Sequence, residues 1–159
     1  MSGFVVPSVV PATPPAAEPV IANDGWFPDI DPARLRSERR IRDQVTAERL
    51  SAALLGAIVT VGNQLSAWAA AQAAAGHAAL ADVPAPALGG ESRLVLLYRR
   101  AVGAYAHAEL VERYRDTDVT GAGQRQIDEL EPSIGELKRD GVHAIRDMLG
   151  APRTCVELI

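Results

Sequence analysis

Cysteine is nearly absent from this chain. Cys155 is the single one, which excludes an intrachain disulfide framework and any cysteine-based zinc site. Lysine is as scarce: Lys138 stands alone beside fifteen arginines, and the formal net charge is −4. A protein devoted to gripping duplex DNA needs a strongly basic face, and this balance does not supply one. The arginine bias, with abundant Ala, Gly and Pro, reads as the imprint of a GC-rich genome. Aromatics number seven in 159 residues, against 28 alanines. Alanine buries little area, so such a domain either packs its helices closely or completes its core against another copy or partner. No Lys or Arg precedes Arg34, so the basic start of a secretory signal is missing and synthesis in the cytoplasm is expected.

No Asp, Glu, Lys or Arg occurs between Arg49 and Asp82. That span is long enough for a membrane helix, which needs about 20 residues. Its content weakens that reading, because Asn63 and Gln64 sit at its middle among weakly apolar alanines and no arginine-rich flank marks one end.

The chain divides into an extended arm (1–30), an all-α helical body (31–150) and an extended tail (151–159). Seven of the eleven prolines fall within the first 32 residues. Proline fixes φ and lacks an amide donor, so this stretch cannot be helical. It also carries Val5, Val6, Val9, Val10, Trp26 and Phe27. Apolar side chains on an arm want a surface, and the expected one is an adjacent copy; the alternative is disorder. Asp31-Pro32 is a helix start, with a short helix expected to about Arg42. Thr46 caps a long helix to about Gly76, whose stripe is Leu50, Leu54, Ile58, Val61, Leu65 and Trp68. Its opposite face is uncharged, which predicts a helix surrounded by other helices or other subunits. A third helix is expected over about Glu91–Arg115. A fourth is expected from Thr120 to Leu149, bent near Asp128 but unbroken at Pro132, because Ile127, Leu130, Ile134, Leu137, Gly141 and Ile145 keep phase. No strand of useful length is expected in the body.

Motifs for chemistry are few. His77, His107 and His143 lie on separate segments without metal-ligand spacing. There is no phosphate-binding loop and no nucleophile elbow, so no catalytic residue, metal or cofactor is expected. Arg34, Arg36, Arg39, Arg40 and Arg42 place five arginines in nine residues. Guanidinium forks suit phosphate or a partner's carboxylates, and a solvated helix face is the plain alternative. Asp128, Glu129 and Glu131 begin an acidic run that is either solvated surface or a wall repelling DNA. At the tail, Val156 and Leu158 alternate as an added strand requires, with Ile159 beyond.

Three stretches resemble the head completion (L protein) family of contractile-tailed phages. They are Ile21-Ala22-Asn23-Asp24-Gly25-Trp26-Phe27-Pro28-Asp29-Ile30-Asp31; Gly90-Glu91-Ser92 followed by Leu97-Tyr98-Arg99-Arg100-Ala101-Val102; and the set Glu112–Asp116, Glu129–Ile134 and Ala144–Gly150. His143 departs from the large aromatic expected before Ala144. The resemblance implies a non-enzymatic virion protein. It would form a ring, by likeness a dodecamer, under the portal after DNA packaging and carry the neck or tail-terminator protein. DNA would pass through the channel without specific binding. Within it, Val156, Leu158, Ile159, Arg34, Arg36, Arg39 and Arg40 are candidates for the portal or partner interface. Val5, Val6, Val9, Val10, Trp26 and Phe27 would grip the adjacent subunit, and Asp128, Glu129 and Glu131 would face the channel. The competing readings are a small helical oligomeric binding or regulatory protein and a holin-like membrane protein built on residues 50–75.

Overall fold

The computed structural model describes residues 18–115 and 133–152. Within them, helix α1 spans Pro32–Arg39, α2 Ala47–Ala74, α3 Arg93–Arg115 and α4 Ile134–Met148. The caps explain the starts. Asp31 Oδ1 accepts from the amides of Ala33 at 2.9 Å and Arg34 at 3.4 Å, and Pro32 occupies the first turn, where no amide is needed. Thr46 Oγ1 accepts from Arg49 N at 3.4 Å to open α2. Helix α1 ends sooner than its sequence suggests. Arg40 turns left-handed (φ 52°), and the Ile41 amide donates back to Arg36 O at 3.0 Å.

The fold corrects the expected helix across Pro132. Ser133 is extended (φ −63°, ψ 151°) and caps α4, with its Oγ accepting from Glu136 N at 3.2 Å and Glu136 Oε2 accepting from Ser133 N at 2.8 Å. This reciprocal capping box starts a helix rather than continuing one. Asp128, where the bend was expected, lies outside the described residues. The apolar phase beyond the cap does hold: Leu137, Gly141, Ala144, Ile145 and Met148 are buried.

A small hairpin adds to the helices. Strand β1 (Ala87–Leu88) pairs antiparallel with β2 (Glu91–Ser92), Ala87 opposite Ser92. Gly89 and Gly90 both take positive φ (59° and 84°), the backbone that a two-residue hairpin turn demands. A short 3-10 turn, Leu80–Asp82, precedes it.

Helix α3 is the centre of the subunit. It packs against α1, α2 and α4, and Tyr98, Ala101, Val102, Ala104, Ala106 and Ala108 are fully buried. Small residues let the neighbours approach. A Cβ on Gly103 would meet Leu35 Cδ1 at 2.6 Å, and one on Gly141 of α4 would meet the Tyr105 ring at 2.7 Å. The alanine-rich composition thus serves close helix packing. Within the subunit, helix α2 is not surrounded by other helices. Its inner stripe is core, with Leu50, Leu54, Val61 and Leu65 fully buried and Ile58 and Trp68 half-buried against them. Its outer face is open.

Candidate assembly interfaces

The segment 18–30, expected as arm, is folded onto the body. Ile21 and Ile30 exchange backbone hydrogen bonds of 2.8 and 3.0 Å and close a loop. Inside it, Asp24 Oδ1 accepts from the amides of Trp26 and Phe27, both at 2.9 Å. Asn23 Nδ2 donates to the Tyr98 hydroxyl at 2.8 Å, and Phe27 stacks on the Tyr98 ring at 4.6 Å. Trp26 Nε1 donates to His77 O at 3.1 Å, and its ring meets Trp68 edge-on at 5.9 Å. Phe27, expected to grip a neighbour, is buried in this subunit's own core, and Trp26 is half-buried against it. Their aromatic area and the one well-placed indole donor are satisfied within the chain. Burial pushes the Tyr98 phenol up to about 12, with the bond from Asn23 opposing the shift.

The arginine cluster separates into members with different work. Arg36 is ion-paired to Glu18 and donates to Arg42 O and Val45 O, both at 3.0 Å, so it ties the start of the folded segment to the turn before α2. Arg39 lies across Gly103 and donates to Arg100 O at 3.0 Å; burial lowers its pKa, with Asp140 working the other way. Arg34 pairs with Glu38 at 2.6 Å and reaches Glu91 at 3.8 Å, and these carboxylates raise its pKa, chiefly through the Glu38 hydrogen bond. Arg40 is exposed. Arg36 and Arg39 thus hold the subunit together, while Arg34 and Arg40 face solvent. The spacing of the run carries no sign of this division, because the partners Glu18 and Arg100 lie outside it, 18 and 61 residues away. Beside the cluster lies an open groove of about 310 Å³, floored by Val20, Ile30 and Leu35 and rimmed by Arg34, Glu38 and Arg99.

The outer face of α2 adds a surface beyond the candidate interface residues. Leu55 and Val59 are 52% and 61% exposed, and Ala52, Asn63, Ser66, Ala67 and Ala70 are exposed along the same side. The two hydroxyls there turn back on the helix: Thr60 Oγ1 donates to Gly56 O and Ser66 Oγ to Asn63 O, both at 2.9 Å. Among the described residues α2 is the one helix long and apolar enough to cross a membrane. No group of acidic, His or Cys side chains among the described residues could hold a metal ion.

A family model described as phage head completion protein (GPL) matches residues 21–159. The chain belongs to the phage head completion protein family. Among its relatives, the head completion/stabilization protein of Escherichia phage P2 is 40% identical over 152 residues, covering 96% of this chain and 90% of the relative. The probable head completion/stabilization protein of Haemophilus phage HP1 is 29% identical over 140 residues, covering 88% and 92%. No solved structure matches the chain. The stretches that carry the family likeness meet in the fold. Asn23 and Phe27 of the first touch Tyr98 of the second, while Ala144, Ile145 and Met148 of the third are buried in the same core. Gly90-Glu91-Ser92 forms the turn and return strand of the hairpin. In this head completion protein, Val5, Val6, Val9 and Val10, the acidic Asp128, Glu129 and Glu131, and the tail residues Val156, Leu158 and Ile159 lie outside the described residues.

Proposed function

We propose that this chain is a structural virion protein that completes the DNA-filled head. Copies form a ring under the portal, retain the genome and present a platform for the neck and tail. Family membership supports the head-completion part of this reading. The observation that carries the ring is the outer face of α2. A soluble subunit standing alone normally covers such a face with charge, whereas here Leu55 and Val59 stand in an uncharged strip. The tail residues Val156, Leu158 and Ile159 anchor to the portal by strand addition, in which main-chain hydrogen bonds supply affinity. Of the four candidate arginines, Arg34 and Arg40 are the exposed ones and the better placed to meet a partner. Asp128, Glu129 and Glu131 face the channel, where like charge keeps DNA from adhering.

The test is a phage lacking this gene, with the chain supplied in trans. Without it, filled heads accumulate that lose DNA and carry no tails. A chain truncated after Gly150 folds but fails to restore infectivity. Normal virions made without the chain would refute the reading. A holin-like role is the second reading, and the length of α2 is its only support. Binding of the purified chain to lipid vesicles without detergent would favour it.

A further inference from the structure

We propose that the outer face of α2 receives residues 1–17 of the neighbouring copy, each arm covering the next subunit's helix. The proposal rests on the ring reading and names the contact that closes it.

Four observations lead there. The first is a match in charge. Residues 1–17 and 50–81 contain none of the sixteen basic and twenty acidic side chains of the chain. An uncharged segment is thus available for an uncharged face, and burying one on the other desolvates no ion.

The second is that the hydroxyls of Thr60 and Ser66 can be covered cheaply. Thr60 and Ser66 already spend their hydroxyl protons on the helix's own carbonyls. A segment laid over them strands no hydroxyl donor. Pro7, Pro11, Pro14 and Pro15 bring no amide donors either, and proline-rich segments lose little entropy on docking to apolar surfaces. With three residues per turn, Val6, Val9, Ala12 and Pro15 would share one side of such a segment.

The third is length. Helix α2 has 28 residues, about 42 Å at 1.5 Å per residue. Seventeen residues at about 3.1 Å each reach roughly 53 Å, enough to leave one body and run along most of that helix.

The fourth is direction, and it chooses a neighbour over the arm's own subunit. Glu18 is paired with Arg36, whose guanidinium also holds Val45 O at the entrance to α2. Eight residues later, Trp26 lies against Trp68, far along the same helix. The chain therefore travels from the start of α2 toward its end. Glu18 thus sits beside the start of α2, and an arm that kept this course in reverse would leave the subunit there. Covering its own α2 would require a reversal beside the fixed Glu18, whereas reaching another copy requires none.

Crosslinking of the full-length chain tests this. With Cys155→Ser throughout, Val9→Cys is placed on copies bearing one tag and Val59→Cys on copies bearing another. The two are mixed, treated with a short bismaleimide, and sedimented in parallel. The expected product joins the two tags, and adding Leu55→Lys to the Val59→Cys copy lowers its yield at least about tenfold. A chain carrying both thiols that crosslinks only within itself would overturn the neighbour contact. A multimer without the mixed product would overturn the arm's place on α2 and leave the ring standing. Absence of both multimer and mixed product would overturn the ring and the arm contact together.

Discussion

Helices α2 and α3 are both rich in alanine, and their surroundings are opposite. Helix α3 carries Arg93, Arg99, Arg100, Glu109, Glu112 and Arg113, yet Tyr98, Ala101, Val102, Ala104, Ala106 and Ala108 along its middle are fully buried. Helix α2 carries no charge from Leu50 onward, yet one side is open from Ala52 to Ala70. Charge content alone therefore does not reveal which helix lies at the centre. In α3 the charges gather at the ends and margins, where Arg99 pairs with Glu91, Arg100 with Asp140 at 3.5 Å and Glu112 with Lys138 at 3.3 Å. In α2 the missing charge leaves a surface that water tolerates poorly. One helix completes the subunit, and the other keeps an open apolar face.

The contrast breaks most easily at the shared inner stripe. Leu65→Ala should destabilise the isolated chain by about 2–5 kcal/mol, read from denaturant unfolding, because Leu65 is fully buried between the two helices. A neutral result would mean that α2 does not belong to the subunit core. Gly141→Ala sharpens the contrast from the other side of α3. Its Cβ would meet the Tyr105 ring at 2.7 Å, and displacing that ring should cost about 1–3 kcal/mol. An unchanged thermal midpoint would refute the close approach.

Tyr98→Phe should cost about 0.5–1.5 kcal/mol at neutral pH, since it removes the hydroxyl that accepts from Asn23. The pH dependence has a definite sign. Burial raises the folded phenol from 10.0 to about 12, so the folded chain favours the neutral form. That contribution is complete below the unfolded value near pH 10 and is lost as pH rises through about 12. Wild type should lose its advantage over Tyr98→Phe across that window and fall below it near the top, and parallel curves would show that Tyr98 is not the titrating group. The smallest effect on folding is expected at the outer face. Val59→Lys should change the stability of the isolated subunit by less than about 0.5 kcal/mol, as exposed substitutions do, while abolishing assembly by native mass measurement.

The helical body was legible because its signals are local. Asp31-Pro32, Thr46 and the Leu50–Leu65 stripe each speak through neighbours within a few turns. The hairpin was equally local, since Gly89-Gly90 between Leu88 and Glu91 is a two-residue turn signal that went unread. At Pro132 two local signals competed. The apolar phase suggested continuity, and Ser133 with Glu136 three residues later marked a new start that prevailed. The roles of Trp26, Phe27 and Arg36 were not legible. They depend on Tyr98, Trp68, His77 and Glu18, and only the folded chain brings those residues together. The family likeness was visible in the motifs themselves, although what those residues touch was not.

The central claim is that α2's outer face is open in the subunit and covered in the virion. Thiol reactivity measures this directly, using Val59→Cys in a Cys155→Ser background. Rapid maleimide labelling of the free subunit and strong protection in purified particles are expected. Equal labelling rates in the two states would contradict it.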